Sequence, residues 1–355
     1  MMKKRVAVVG CGHLGGIHAR LLAGREDVDL VAVVDPIPEM RDRVATAHGC
    51  RGLAEPRELV GLADAAVVAA PTGLHAAVAL PLLAAGIDLL VEKPLAATVE
   101  DARAIVIAAR RHGRIVAVGH VERFNPAWRT AVSGIGLPLL VESVRQAPFT
   151  FRSMDVGVVH DLMIHDIDLV LSLEPGRLEQ VEARGLMATG GHEDAVRARL
   201  TFSSGLVADL TASRISPSLR RSLVMWAAEG MLSVDFTAKQ VEIVRPSARV
   251  RAGEFVATDV PAAERAALKE RFFAEVLPIE RVAVPDANAI ACEHDDFLEA
   301  ARTGRAPLVP ASAGAAAVEI AARVLDALAC VTLGGERSGV GTSRTIPFSP
   351  HRKTG

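Results

Sequence analysis

Residues 5 to about 120 carry a series of short apolar runs without polar alternation, separated by helix-like segments. The runs are Val6-Ala7-Val8-Val9, Leu30-Val31-Ala32-Val33-Val34, Ala65-Ala66-Val67-Val68-Ala69-Ala70, Asp88-Leu89-Leu90-Val91 and Ile115-Val116-Ala117-Val118-Gly119. A strand that is apolar on both sides belongs to a sheet with both faces covered. Alternation of strand and helix supplies that cover, so residues 1–121 are expected to form an α/β domain with a doubly wound parallel sheet. Ligands of such sheets bind at the carboxyl ends of the strands. The residues that close each run are therefore the first candidates for chemistry.

The rhythm changes after residue 120. A helix is expected to start near Pro126 and another to span residues 158–173. Longer strand candidates with polar alternation follow: Gln180–Met187, Ala195–Phe202, Leu206–Ser213, Ser222–Ala228 and Met231–Phe236. They read as a largely antiparallel open sheet with one covered face. Two helices, about 286–303 and 311–331, are expected to close this second α/β domain, residues 122–332. Residues 247–285 are polar and give no clear periodicity. The Gly/Ser/Arg-rich tail, 333–355, reads as mobile or as an arm onto a neighbour.

At 355 residues the chain is long enough for two domains. A formal net charge of -2 gives no basic surplus for nucleic acid or an anionic membrane. Tyrosine is absent and aromatics make up 3% of residues, which argues against a base-stacking platform. Cys11, Cys50, Cys292 and Cys330 are not paired at metal or redox spacing. The first apolar run ends at Gly10, too soon for a signal-peptide core, and no run cleanly spans a bilayer. A cytoplasmic location is expected.

Gly10-Cys11-Gly12-His13-Leu14-Gly15 follows the first strand and opens the first helix, the context a dinucleotide-binding G-x-G-x-x-G requires. Glycines admit a pyrophosphate to the backbone, and the helix N-terminus offers it free N–H groups. Asp35, at the end of the second strand, suits a ribose diol and would repel a 2′-phosphate. Pro36 follows, with no arginine beside it. The expected cofactor is NAD. Pro71, Thr72 and His75 sit at another strand end and are further cofactor contacts, though Thr72 also suits a helix cap.

Lys93, in Glu92-Lys93-Pro94, closes an apolar strand in a chain that otherwise prefers arginine. Arginine keeps its proton in proteins, whereas a desolvated lysine can exchange one. The ordinary alternative is a strand-end lysine reaching into water. On the 158–173 helix, a uniform 3.6-residue turn places Asp161, His165 and Asp168 on one face, with His160 to one side. Carboxylates flanking a histidine set its tautomer, which makes His165 a candidate general base. A satisfied polar stripe at a domain interface is the alternative. A metal site is disfavoured, because no HExxH or Cys/His cluster accompanies these residues. Gly119-His120-Val121-Glu122-Arg123-Phe124-Asn125-Pro126 joins the two domains at the sheet's carboxyl edge. There Glu122, Arg123 and Asn125 either bind substrate or cofactor or cap the next helix. Arg152, ahead of the helix, suits a substrate phosphate or carboxylate, or plain solvent.

Taken in order, Gly10 to Gly15, Pro71-Thr72-Gly73-Leu74-His75, Glu92-Lys93-Pro94, Arg123-Phe124-Asn125-Pro126 and Asp161 to His165 resemble the Gfo/Idh/MocA oxidoreductases. The resemblance covers residues 4–330. It implies an N-terminal Rossmann domain, a C-terminal α/β domain whose sheet mediates homodimers or homotetramers, and a cis Lys93–Pro94 bond. It also implies that Lys93 and His165 are the catalytic pair with Asp161 alongside, that Glu92 lies at the cofactor, and that the substrate is a sugar, sugar nucleotide or cyclitol. Within the family, the 119–126 and 161–168 segments are most similar to members that oxidise UDP-N-acetylglucosamine to its 3-keto form. Either His165 or Lys93 then accepts the hydroxyl proton. The competing readings are an inositol or free-sugar dehydrogenase, an NAD-dependent glycosidase, an imine or tetrapyrrole reductase, and a non-catalytic NAD-binding sensor.

Overall fold

The computed structural model describes residues 3–333 except Arg152, and every structural statement below concerns those residues. In the first part of the chain β1 (Lys4–Val9), α1 (His13–Ala23), β2 (Val28–Val34), α2 (Pro38–His48), β3 (Arg51–Leu53), β4 (Ala65–Val68), α3 (His75–Ala84), β5 (Asp88–Glu92), α4 (Val99–His112) and β6 (Val116–Gly119) follow one another. The strands form one sheet in the order β3-β2-β1-β4-β5-β6, with every neighbouring pair parallel. This is the expected doubly wound sheet. Chain order reverses between β1 and β4, which opens a crevice at their carboxyl ends. Only β3 had no counterpart in the apolar pattern, being three half-exposed or exposed residues on the sheet edge.

The local chemistry of the helices agrees with their ends. The Thr98 hydroxyl accepts from the Asp101 amide at the start of α4, and Arg110, Arg111 and His112 fill its last turn. Gly113 leaves that helix in the left-handed region, at φ 60°. Caps and charges of this kind satisfy the free backbone groups at each end.

The second part begins with α5 (Pro126–Val132) and β7 (Leu140–Gln146). A π-helical turn (Val159–Met163) then runs into α6 (Ile164–Leu171). β8 (Leu178–Met187), β9 (Ala195–Phe202), β10 (Val207–Ser213), β11 (Arg220–Ala227), β12 (Gly230–Asp235) and β13 (Gln240–Val244) come next. Short α7 (Ala248–Arg251), α8 (Ala262–Glu275), β14 (Ile279–Val282), α9 (Ala289–Thr303), α10 (Ala311–Asp326) and β15 (Leu328–Thr332) complete it. The nine strands are ordered β14-β13-β12-β11-β7-β10-β9-β8-β15. Pairing is antiparallel except at β7–β10 and β8–β15.

β7 escaped the sequence reading because its inward face carries Val141, Ser143 and Arg145, so apolar alternation fails. The helix expected over 311–331 stops at Asp326, and residues 328–332 add a strand to the free edge of β8. Packing also joins the two sheets. Phe297 and Leu298 of α9 lie in one core with Val6, Val8 and Leu30. α10 lies against α4, α6 and β6. The Val118 amide donates to the Val309 carbonyl at 3.0 Å. The two closing helices, expected on the second domain, thus also cover the first. No helix among the described residues is long and apolar enough to cross a membrane.

Candidate active site

The glycine loop is pinned on two sides and open on a third. Gly10 has φ +96°, and a Cβ there would lie 2.5 Å from the Ala69 carbonyl oxygen. A Cβ on Gly15 would overlap the Gly10 carbonyl. At Gly12, by contrast, a Cβ would meet nothing within 4 Å. No side chain caps α1, so the amides of its first residues, His13 and Leu14, stay available. This cradle fits a dinucleotide pyrophosphate.

At the adenosine end, Asp35 accepts from the amides of Cys11 (2.8 Å) and Ile37 (2.9 Å), one through each oxygen. A carboxylate has lone pairs left for a ribose diol after two such bonds. Two arginines of α2 lie close by. Arg41 Nη1 is 3.4 Å from the Asp35 carbonyl oxygen, and Arg43 Nη2 is 3.4 Å from that of Cys11. The expectation of no arginine beside Asp35 holds along the chain and fails in space, because α2 folds back over the loop. Pro71 is exposed and Thr72 half-buried beyond β4. His75 is buried, with its ring nitrogens 2.9 Å from the carbonyls of Pro94 and Ala70. It braces the backbone and is not presented to the crevice.

Lys93 stands at the carboxyl end of β5, and the Lys93–Pro94 bond is cis. Its ammonium donates to the Asp161 carbonyl at 2.6 Å and to Asp161 Oδ1 at 3.2 Å. Glu92 points the other way. One carboxylate oxygen lies 2.8 Å from His18 Nε2, and the other accepts from the Lys93 amide at 3.2 Å. His18 Nδ1 is in turn 2.7 Å from His294 Nε2. Burial, helped by the charge of Arg25, pushes His294 down to about 3, so its ring is neutral. These partners assign His294 Nε2–H as donor to His18, and His18 Nε2–H as donor to Glu92. Burial raises the Glu92 carboxyl, but the His18 hydrogen bond and the charge of Lys93 outweigh it and hold it low. Neighbouring Glu293 is raised well above the usual range by burial and by Glu92.

Among the described residues no hydrogen bond joins His165 to Asp161 or Asp168. A π turn holds about one residue more than an α turn, so residues 159–163 shift the register. Asp161 is turned to Lys93. His165 Nδ1 is buried without a protein hydrogen-bond partner. Burial holds the His165 imidazolium well below the histidine range, and Lys93, Arg145, His120 and Arg221 push the same way. His160 is likewise down to about 4, through burial and then Lys93 and His192. Asp168 sits 3.6 Å from Arg123 Nη1.

Glu122 and Asn125 take the structural alternative. Arg145 Nη1 donates to Glu122 Oε1 at 2.8 Å, and its Nη2 donates to Asp166 Oδ1 at 2.9 Å. Asn125 donates to Glu122 Oε2 at 2.9 Å and caps α5 through the Ala127 amide. Arg152 lies outside the described residues. Arg145, His18 and His294 were missed by the sequence reading. His18 sits three residues beyond Gly15 on the buried side of α1, a signal that could have found it; Arg145 and His294 carried no such signal. What the site brings together is a lysine ammonium and a neutral imidazole at the carboxyl edge of a nucleotide-binding sheet. One can grip an oxygen and the other can take its proton.

A dinucleotide cradle on a parallel sheet, closed by a lysine and a histidine from opposite domains, defines a nicotinamide-dependent oxidoreductase. Residues 4–120 match the family model for the NAD-binding Rossmann fold of the GFO/IDH/MocA oxidoreductases, and residues 106–233 match a C-terminal domain of the same family. The chain belongs to the Gfo/Idh/MocA oxidoreductase family. It is 33% identical over 301 residues to UDP-N-acetylglucosamine 3-dehydrogenase of Acidithiobacillus ferrooxidans, covering 84% of this chain and 89% of that one. A solved structure of that enzyme has a TM-score of 0.80 and 31% identity, over 92% of this chain and 98% of the other. Similarity to scyllo-inositol 2-dehydrogenase (NAD(+)) of Bacillus subtilis is 30% over 233 residues, 60% of this chain and 68% of that one. A 3-ketoreductase from Actinomadura kijaniata, solved with NADP, shares the fold at a TM-score of 0.76 and 18% identity, over 93% of this chain and 99% of that one.

Proposed function

We propose that this protein oxidises a secondary hydroxyl of a sugar nucleotide with NAD as acceptor, and that UDP-N-acetylglucosamine, taken to its 3-keto form, is the substrate. The observation that carries this reading is similarity across both domains to a dehydrogenase of that substrate. The inositol dehydrogenase similarity, by contrast, spans 60% of the chain.

The bound dinucleotide supplies the hydride acceptor. Amides at Gly12, His13 and Leu14 hold its pyrophosphate, in the loop shaped by Gly10 and Gly15. Asp35 holds a ribose, and Pro71 and Thr72 line the approach to the reacting end. Lys93 donates to the substrate hydroxyl oxygen and stabilises its charge as the proton leaves. His165 takes that proton at Nε2, since Nδ1 is turned into the protein. Asp161 keeps the Lys93 ammonium aimed. Arg123 and His160 flank the pair and contact the rest of the substrate. One observation favours a second reading of the cofactor: Arg41 and Arg43, close to Asp35, suit the 2′-phosphate of NADP.

The test is incubation with UDP-N-acetylglucosamine, UDP-glucose or myo-inositol, each with NAD+ or NADP+. Mass spectrometry detects the ketone even where equilibrium lies against it. A product two hydrogens lighter is expected from UDP-N-acetylglucosamine with NAD+. Turnover confined to inositol would discard the substrate assignment, and turnover confined to NADP+ would discard the cofactor.

A further inference from the structure

A general-base histidine works best when its second ring nitrogen is held, because that contact sets the tautomer and receives the incoming charge. Helical spacing assigned this task to Asp161 and Asp168, but Asp161 faces Lys93. His120, just beyond the carboxyl end of β6, lies next to His165. Its ring meets that of His165 edge to face, with centroids 6.5 Å apart and planes at 88°. His120 is fully buried, and neither ring nitrogen has a protein hydrogen-bond partner. Asp168, 1% exposed, has no hydrogen bond to either carboxylate oxygen. Its charge acts on His120, and Arg123 stands 3.6 Å away. Buried polar groups are almost always paired, so adjacent orphans on three titratable side chains mark a place kept polar for a purpose.

We propose that His120 and Asp168 form a proton relay behind His165. The step rests on the hydroxyl-oxidation reading above. The C–H electron pair leaves the substrate carbon as hydride to the acceptor, and the O–H pair becomes the second C–O bond. The hydroxyl proton goes to His165 Nε2. The Nδ1 proton of His165 passes to a ring nitrogen of His120 across one bridging water, because rings that meet edge to face do not align two in-plane nitrogens. His120 turns its charge toward Asp168, the proton leaves to solvent past half-buried Arg123, and His165 is left neutral in the opposite tautomer. Lys93, Arg145, His120 and Arg221 all oppose a lasting positive charge on His165, which favours passing the proton on. Burial, with Lys93 and Arg123, holds the His120 imidazolium below the usual histidine range against Asp168 and Glu92, so His120 carries the proton only in passing. Burial raises the Asp168 carboxyl, so it suits a transient proton. His120 and Asp168 act through His165 and are positioning residues.

Two measurements separate the relay from the substrate assignment. Nitrogen-15 NMR of histidine-labelled protein, without substrate, reads the His165 tautomer. An Nδ1–H form is expected in the wild type and a mixture in Asp168→Asn and His120→Phe. If His120→Phe does not fold, His120→Gln carries the same expectation. An unchanged tautomer in the folded variants overturns the relay. The second measurement follows NADH and a pH indicator together in weak buffer after mixing with UDP-N-acetylglucosamine and NAD+. Wild-type proton release should keep pace with NADH, and in Asp168→Asn it should lag about tenfold or more. Release in step with NADH in both variants also overturns the relay. A wild type that makes no NADH while its tautomer responds to the variants refutes the substrate and leaves the relay standing.

Discussion

Lys93 spends two donors on Asp161, the carbonyl and the carboxylate, and an ammonium has three. The remaining N–H is the one a substrate oxygen would meet. Lys93→Met keeps the stem and removes that donor, and His165→Asn removes the base while keeping a polar group. Each should lower kcat/KM by about 10²–10⁴-fold while leaving NAD+ affinity, read by fluorescence, nearly unchanged. Near-normal turnover in both would rule out the pair. The pH profile has a defined sign. Burial moves the His165 pKa well below 6.5, so the base stays unprotonated through neutral pH and the acid limb of kcat/KM lies below pH 6.5. A limb at or above that value would contradict a buried imidazole base. Lys93 and His165 were legible because a lone lysine at an apolar strand end and a histidine on an apolar helix are chemically out of place. The partner of His165 was not, since a π turn leaves no mark in residue identity and shifts which carboxylate a histidine meets. Glu122 and Asn125 were misweighted for a related reason. Their alternative roles depended on Arg145, which lies in a strand that breaks the alternation rule.

At the scale of elements, the His294–His18–Glu92 chain ties α9 to α1 and to the end of β5, behind Lys93. Its titration links stability to pH. His294 is depressed from 6.5 to about 3, so the unfolded chain binds a proton the folded chain refuses between those values. That contribution is intact above pH 6.5 and is lost as pH falls toward 3. Glu293, raised above 4.5, works oppositely, and its stabilisation fades as pH rises through its folded value. His294→Gln keeps a donor for His18 and removes one titration. Denaturant titrations between pH 4 and 6 should show the wild-type slope reduced by about one proton, or about 1.4 kcal/mol per pH unit. Parallel slopes for the two proteins would show that His294 is protonated in the native state. The strands and helices of the first sheet could be read almost residue by residue from apolar runs and glycines. For α9, the apolar stripe announced burial without naming the surface that buries it. A helix stripe is complementary to either sheet, so its placement is decided by tertiary fit.

In the whole molecule, α10 is the element that both halves share. It packs on α4 and β6 from the nucleotide-binding sheet and on α6, which carries His165 and Asp168, from the other side. A close approach is at Gly314, where a Cβ would lie 2.7 Å from Val118 Cγ2 and 3.0 Å from Cγ1. Val118 is fully buried and β-branched, so it has little freedom to yield. It is also two residues before His120. Gly314→Ala should therefore push α10 off β6. Overpacking of this kind costs about 1–3 kcal/mol, partly offset by the better helix propensity of alanine. The glycine loop and Asp35 lie on other strands, so NAD+ affinity should stay near wild type while kcat falls and the melting temperature drops. A variant that melts earlier but turns over normally would show that α10 stabilises the fold without registering the two halves. Loss of cofactor affinity along with kcat would mean that the displacement spreads through the first sheet, and the site would then depend on the whole sheet more than on the α10 contact.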